Sequence, residues 1–579
     1  MFEINDEIEK YLSARGKVIL NACPGSGKTT SVAYKLQDLT KETTEINKFS
    51  GVACLSFTNI AKDEINEKFK FFSGVNIKYP HLVSTIDSFI NQYILLPNFH
   101  LLNPNIIRPV ILENSNLLDD WTFFLTKYRI GIKPLKFMYS PSTIQKTISG
   151  GFTSNGKLPT LTGKDLSTFK NYCSSLKDWQ FKKGILTNED SSYFALDILQ
   201  KFPVVGSSLI KRFSYVILDE AQDTSEIHFA IFDRLIELGL KNIEIIGDPC
   251  QSLYEWREAR PDLFIDRIND RKNWDNYEYS FCRRSEQNII DVYSKLRNNG
   301  NPIKSTLEVI TNKIKVLKYE LGKEEKAIEK FVELTSTFES NQIVVRGRTM
   351  LQRLLGYSVN KNYWKTDIPT LLISAKQNLA KNEIKMAVNT VRKIFVLILC
   401  PNLNYNEKRS FEHELKADFE TNSHIINFIN NLPSFELSLK DWTVNTEAYI
   451  KTFFELDSDF NLELKQKQGV ETYDSTISKL HNINENESLI PISTIHQVKG
   501  KTFDTLMLFL SKTSLGQSIS LNDYSKPVDF PNESKRMIYV ALSRPRNLLI
   551  IAVPDETEDD KLIELFGKEI EIIEMNNGL

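Results

Sequence analysis

The sequence predicts an α/β protein with two parallel-sheet cores, each carrying a mainly helical insertion, and three observations support that prediction. Short apolar runs alternate with helix-period segments through the first hundred residues, the pattern of parallel strands covered by helices. The same alternation fades and returns twice further along the chain. At 579 residues the chain is also longer than one hydrophobic core accommodates.

The first run, Val18-Ile19-Leu20, enters a small-residue turn and leaves through Lys28-Thr29-Thr30 into a helical pattern at Val32, Ala33 and Leu36. Next come a strand in GVACLSF from Gly51, a helix in NIAKDEINEKF from Asn59, a strand in LVSTI from Leu82 and a helix in DSFINQYIL from Asp87. Regularity then gives way to mixed segments such as SGGFTSNGKLPTLTG, which predict an inserted subdomain over 95–210. Strands resume at YVILDEAQD, NIEIIGD and YEYSF, then at IKVLKYE and NQIVVRG. A second irregular, Lys- and Asn-rich helical region covers 349–489, and PISTIHQVKG, TLMLFL and NLLIIAV complete the second core. The expected division is therefore a first core from 1–94 and 211–275, and a second from 276–348 and 490–579.

Formal net charge is −2 with pI near 6.5, so no global basic field marks a polyanion partner, and any such site is a local groove. Six scattered cysteines, without a Cys-x-x-Cys pair or ligand-like His spacing, argue against zinc and against a disulfide framework. The opening MFEINDEIEKYL lacks a signal core, and the best apolar run, IFVLILC, is too short to span a bilayer. The expectation is a soluble cytoplasmic protein with no membrane partner.

The stretch Ala22-Cys23-Pro24-Gly25-Ser26-Gly27-Lys28-Thr29-Thr30 has the chemistry of a phosphate loop. Glycines let backbone N–H groups crowd an anion, the helix N-terminus adds its dipole, Lys28 reaches the β/γ-phosphates and the Thr29 hydroxyl sits on Mg²⁺. VILDEAQD ends an apolar strand in Asp219 and Glu220, where such a site needs a metal ligand and a base to orient the attacking water. After the next strand, Gln251 stands where an amide senses the γ-phosphate, and Tyr254, Trp256 and Arg257 follow. Those three read as a stacking platform with a phosphate clamp, base–aromatic stacking supplying roughly 1–3 kcal/mol.

ACPGSGKTT, CLSFTNIAKDEI, STIDSF, ILDEAQD, GDPCQSLYEWREA, FCRRS, ISTIHQVKG and MIYVALSRPRNLL resemble, in order and character, the motifs of the UvrD/Rep family of superfamily 1 helicases, and they span Ala22 to Leu549. The resemblance implies two RecA-like domains that bind ATP with Mg²⁺ in their cleft and single-stranded or tailed DNA across their tops, with 3′ to 5′ translocation. It further implies that Arg284 and Arg544 reach the γ-phosphate from the second domain, a role worth about 10³–10⁵ in phosphoryl-transfer rate. By the same resemblance Phe57, Thr58, Asn59, Ser88, Phe89, Tyr254, Trp256, Arg257, Thr494 and His496 lie near the DNA strand. Three departures stand out. No Gln precedes the loop, the first being Gln37; the family's Asn-Tyr-Arg-Ser is Cys282-Arg283-Arg284-Ser285, placing Arg283 on the base; and its KGLE is Lys499-Gly500-Lys501-Thr502. Phosphate chemistry is expected to be intact and base recognition altered.

The leading expectation is an ATP-driven single-strand DNA translocase and helicase; the alternative is a DNA-end-sensing ATPase that gates a partner and unwinds little. No nuclease-like Asp/Glu/Lys cluster follows the last motif, which points to a separate nuclease or effector partner bound through one insertion. GILTNEDSSYFALDIL resembles defence-associated members of the family, of the Gabija anti-phage type, leaving defence and DNA repair as the two settings.

Overall fold

The computed structural model describes residues 3–112, 115, 117–253, 259–297, 300–354, 363–380, 384–400, 411–412, 415, 419–456, 460–465, 470–481, 491–513, 518–524 and 532–574. The chain divides into two compact units, Met1–Val344 with Ile495–Leu579, and Val345–Thr494.

The first unit holds two parallel sheets. In the first, the strands run in the order Asp275–Tyr279, Lys17–Ala22, Asn242–Gly247, Phe213–Asp219, Gly51–Ser56 and Leu82–Thr85. Val18 and Leu20 face Val32 and Leu36 of the helix Lys28–Ile46, while Ile19 faces Phe264 and Trp274 on the other side. A sheet covered on both faces needs strands apolar at every position, hence the uninterrupted runs in the sequence. Pairing sets Asn21 opposite Gly247 and Leu218 opposite Ile245, so the loops after these strands emerge along one edge. Ligands of open α/β sheets bind at that edge.

Two local expectations change. Strand Asp275–Tyr279 pairs with Lys17–Ala22, so the first sheet runs through Tyr279, past residue 275. The strand from Leu82 stops at Thr85 because the Thr85 hydroxyl accepts the Ser88 amide at 3.2 Å and starts the helix Ile86–Phe89, which continues as a π-helix over Ile90–Leu95.

The second sheet orders Asn341–Val345, Phe503–Phe509, Pro545–Pro554, Lys315–Tyr319 and Glu571–Glu574. Helix Glu533–Leu542 buries Met537, Ile538 and Val540 in its core. The run PISTIHQVKG is a strand only over Ile492–Thr494; Ile495–Val498 is a helical turn, and Gly500 at φ +82° redirects the chain into Phe503–Phe509.

Over 95–212, helices Gly163–Lys183, Asn188–Lys201 and Pro203–Arg212 are accompanied by short strand pairs, and Leu125, Leu135 and Ile144 pack on Phe169, Tyr172 and Leu176 as a satellite core. The second unit gathers helices Ile368–Ala380, Ile384–Leu399, Phe419–Asn430 and Leu439–Phe454 around Leu372, Val391, Ile394, Phe428 and Ile450. Among the described residues no helix is long and apolar enough to cross a membrane, and no disulfide joins any of the six cysteines.

Candidate nucleotide and nucleic-acid site

Ala22 ends the first strand, and the turn after it needs glycine for two reasons. Gly25 and Gly27 have φ of +71° and +86°. A Cβ on Gly25 would also lie 2.6 Å from Arg284 Cβ and 2.9 Å from Cys282 Sγ. The Arg283 amide donates to Gly25 O at 2.9 Å, tying the CRRS segment to the loop. Pro24 is buried, Ser26 Oγ is buried without a hydrogen-bond partner, and Lys28–Ile46 starts on Gly27 with no side chain capping its amides. Free N–H groups over positive-φ glycines form an anion cradle. Thr29 and Thr30 follow, half-buried, on the first helical turn.

Lys28 Nζ bonds Glu220 Oε1 at 2.8 Å and lies 3.8 Å from Asp219 Oδ1. Glu220 adopts φ +57°, ψ +39°, a region costly for a residue with a Cβ and often found at functional sites. Its amide donates to Asp219 Oδ1 at 3.0 Å, and the Gln222 amide group holds its second oxygen. Gln222 Oε1 in turn accepts the Asp248 amide at 3.1 Å, and a Cβ on Gly247 would lie 2.3 Å from that oxygen. Burial pushes the Asp219 carboxyl above the ordinary range, with Lys28 offsetting part of the rise. For Glu220 burial also acts upward, but Lys28 and Lys499 together hold it below the usual carboxylate range. Glu220 is thus kept ionised, as a base must be.

Asp219 is fully buried and its Oδ2 has no hydrogen-bond partner. Among the described residues no group of three or more His, Cys, Asp or Glu could hold a metal ion alone. One carboxylate and the Thr29 hydroxyl fit Mg²⁺, which takes its other ligands from phosphate and water.

The second sheet sends cations to the same edge. Arg544, 2% exposed, donates to Gln251 Oε1 at 2.7 Å, and burial together with the neighbouring Arg284 charge pushes its pKa down to about 9. Gln251 donates to Asp248 Oδ2 at 3.0 Å, and the Tyr539 hydroxyl donates to the same oxygen at 3.1 Å. Arg536 donates to Ser252 O at 2.8 Å, Arg284 donates to Ser543 O at 3.0 Å, and Lys499 pairs with Asp223.

The residues expected near DNA are placed less uniformly. Phe57 is half-buried, Asn59 and Ser88 are exposed, and Thr58 caps helix Asn59–Ser73 by accepting the Ala61 amide at 3.2 Å. Phe89 requires correction: its ring is 0% exposed, packed on Phe213 and Tyr93, so it belongs to the core and offers no face to a base. Tyr254, Trp256 and Arg257 lie outside the described residues. Thr494, half-buried, ends the second unit, whereas His496, also half-buried, belongs to the first. Arg283 Nη2 donates to Glu3 O at 2.6 Å, and Glu7 accepts the Ser280 amide at 2.8 Å, so the N-terminal segment is bonded to the CRRS region.

Sequence reasoning passed over Gln222, Asp223, Asp248, Lys499, Arg536 and Tyr539. Five of them carried a signal, as polar residues at strand ends or inside the quoted motifs. Arg536 carried a weaker one, a charge just ahead of MIYVALSRPRNLL on a helix otherwise bound for the core.

Two parallel sheets whose strand ends and cations meet around one phosphate loop define a two-core phosphate-loop nucleotide-binding protein. The family model for the UvrD/REP helicase N-terminal domain matches residues 4–272, and that for the UvrD-like helicase C-terminal domain matches 303–556. The chain belongs to the UvrD/Rep family of ATP-dependent DNA helicases. It is similar to Gabija protein GajB of Bacillus cereus (strain VD045), 23% identical over 97% of this chain and 98% of that protein. It is also similar to ATP-dependent DNA helicase Rep of Buchnera aphidicola subsp. Schizaphis graminum (26% identical over 67% of this chain and 58% of that protein). A third relative is ATP-dependent DNA helicase PcrA of Leuconostoc citreum, 24% identical over 51% of this chain and 39% of that protein. Less than two thirds of the length of Rep and PcrA is thus matched.

Proposed function

We propose that this chain is a cytoplasmic, ATP-driven 3′ to 5′ single-stranded DNA translocase and helicase acting in anti-phage defence or DNA repair. The observation that carries the reading is the bonded series Arg544–Gln251–Asp248, which joins the second core to the strand edge holding Lys28, Asp219 and Glu220. On this reading Lys28 exchanges Glu220 for the β/γ-phosphates of ATP, and Glu220 then orients and deprotonates the attacking water. Arg284 and Arg544 stabilise charge on the transferred phosphoryl group. Asp219 and the Thr29 hydroxyl would hold Mg²⁺, which would supply neutralisation of phosphate charge. Loss of the γ-phosphate removes what Gln251 and Arg544 sense, and the two cores shift along the strand. Residues 1–94 with 211–279 and 280–348 with 490–579 serve as the motor halves, and 95–210 and 349–489 as insertions. DNA-stimulated ATPase together with displacement of a 3′-tailed duplex tests this; equal displacement of a 5′-tailed duplex would overturn the polarity.

A DNA-end-sensing ATPase that gates a nuclease or effector is the second reading, favoured by the compact additional unit Val345–Thr494. ATP hydrolysis on DNA with no strand displacement, in a chain that co-purifies with a nuclease from its native operon, would select it. The similarity to Gabija protein GajB along nearly the whole chain supports the defence setting.

A further inference from the structure

Between Asp120 and Asp165 the sequence contains no Asp or Glu, yet it carries Lys127, Arg129, Lys133, Lys136, Lys146, Lys157 and Lys164. With 74 acidic residues in 579, a tract of this length would ordinarily carry about six. Among the described residues none of the seven cations forms an ion pair. Several lie over rings instead: Lys136 Nζ is 5.7 Å from the Phe123 centroid, Lys127 Nζ 5.1 Å from Tyr128 and Lys146 Nζ 4.8 Å from Tyr193.

The fold concentrates this charge. Leu125, Leu135 and Ile144 bury one side of the tract on helix Gly163–Lys183. Arg129–Ile130 pairs antiparallel with Lys133–Pro134, and the Leu135 amide returns to Tyr128 O at 2.8 Å, so 123–138 is one small substructure. Its outer side presents Lys127, Arg129 and Lys133 beside Phe123 (72% exposed), Ile132 (87%) and Phe137 (73%).

We propose that the outer side of this acid-free tract in the first insertion is a second nucleic-acid contact, gripping single-stranded DNA away from the helicase motifs. Uncompensated cations match the phosphate backbone, and exposed rings match unpaired bases, whose faces stack whatever their sequence. A protein partner fits less well, because lysine is depleted at protein interfaces. The proposal rests on the DNA-binding part of the proposed function but needs no ATP turnover. A chain that binds the strand yet never displaces duplex would sink the helicase reading and leave this one standing.

The test is fluorescence anisotropy of the full chain, without nucleotide, on a labelled oligo-dT strand and on a blunt duplex across a salt series. Lys127→Ser with Lys133→Ser should shrink the slope of log affinity against log salt by about 1.4 on the single strand, roughly 0.7 for each lost phosphate contact. Phe123→Ala with Phe137→Ala should weaken oligo-dT binding about tenfold. Thermal melting checks that both variants fold, and the single exposed change Lys133→Gln, with half the slope effect, replaces the first pair if it does not. Wild-type affinity and slope in folded variants would overturn the proposal. So would an equal loss on blunt duplex, which would assign the surface to helical backbone. Loss of a co-purifying protein at unchanged DNA affinity would assign it to a protein.

Discussion

Lys28 is shared between two carboxylates, and that sharing separates the roles of the three side chains. Lys28→Ala removes the loop's cation and leaves the neighbouring Asp219 and Glu220 carboxyls without it, so nucleotide binding and DNA-stimulated hydrolysis should both vanish. Glu220→Gln keeps the cation and the shape, so hydrolysis should fall about 10²-fold or more while ATP-stabilised DNA binding survives. Equal loss of nucleotide binding in both variants, read by labelled-nucleotide titration, would contradict the assignment. Arg283 offers a second test. Its guanidinium is tied to Glu3 O, and such a group stacks on any π-face without selecting a base. Hydrolysis of ATP, GTP and UTP at equal low concentration should therefore differ by less than about tenfold, the gap that polar readout of a base easily exceeds. A large ATP preference that persists in Arg283→Ala would place base recognition in the backbone of 4–8 instead. Lys28, Asp219 and Glu220 were legible because phosphate chemistry fixes both residue type and spacing. Phe89 was not, because an aromatic after a strand suits a core as well as a base, and only tertiary packing on Phe213 decides.

At the scale of elements, the helix behind the phosphate loop is anchored by a buried ionic cluster. Lys35, in Lys28–Ile46, pairs with Glu244 of strand Asn242–Gly247 at 2.6 Å, and the Tyr11 hydroxyl, from helix Asp6–Ser13, donates to the same carboxylate at 2.7 Å. Lys35 also donates to Tyr11 O at 2.8 Å. Removing one member of such a pair strands the other charge away from water, a loss of about 3–5 kcal/mol. Glu244→Gln should thus lower the melting temperature markedly, and Lys35→Met on that background should recover part of the loss. Additive destabilisation in the double variant would show that the two charges do not interact. The strand itself was legible in NIEIIGD, since its apolar residues suit a sheet covered on both faces. The cluster was not: Tyr11 and Glu244 stand 233 positions apart, and a lone Glu in an apolar run carries no sign of its partner. Segment lengths failed for a related reason. Apolar character continues through Ile86 and Ile495, while the Thr85 cap and the positive φ of Gly500 decide where pairing stops.

Across the molecule, two alternating stretches and two irregular ones were readable because a covered parallel sheet imposes its pattern on every strand, whereas an insertion need satisfy only its own small core. The grouping of both sheets into one unit was beyond that reading, since it depends on side chains such as Arg536, Tyr539 and Arg544 reaching Ser252, Asp248 and Gln251. The Lys499–Asp223 pair lies in the same group and couples the cores electrically as well as mechanically. Lys499 is one of the two cations that hold Glu220 below the ordinary carboxylate range, the other being Lys28. Removing its charge must let the Glu220 pKa rise, so the base takes up its proton at higher pH. In Lys499→Met the acid limb of the pH–rate profile for DNA-stimulated ATPase should therefore move to higher pH, with the plateau rate reached later on the alkaline side. Lys499→Arg, which keeps the charge, should restore the limb. Asp223→Asn breaks the contact but leaves Lys499 charged, so it should weaken strand displacement without moving the limb in that direction. An acid limb that stays in place in Lys499→Met, while strand displacement falls, would reduce the pair to a mechanical latch and remove the electrostatic link between the second core and the base.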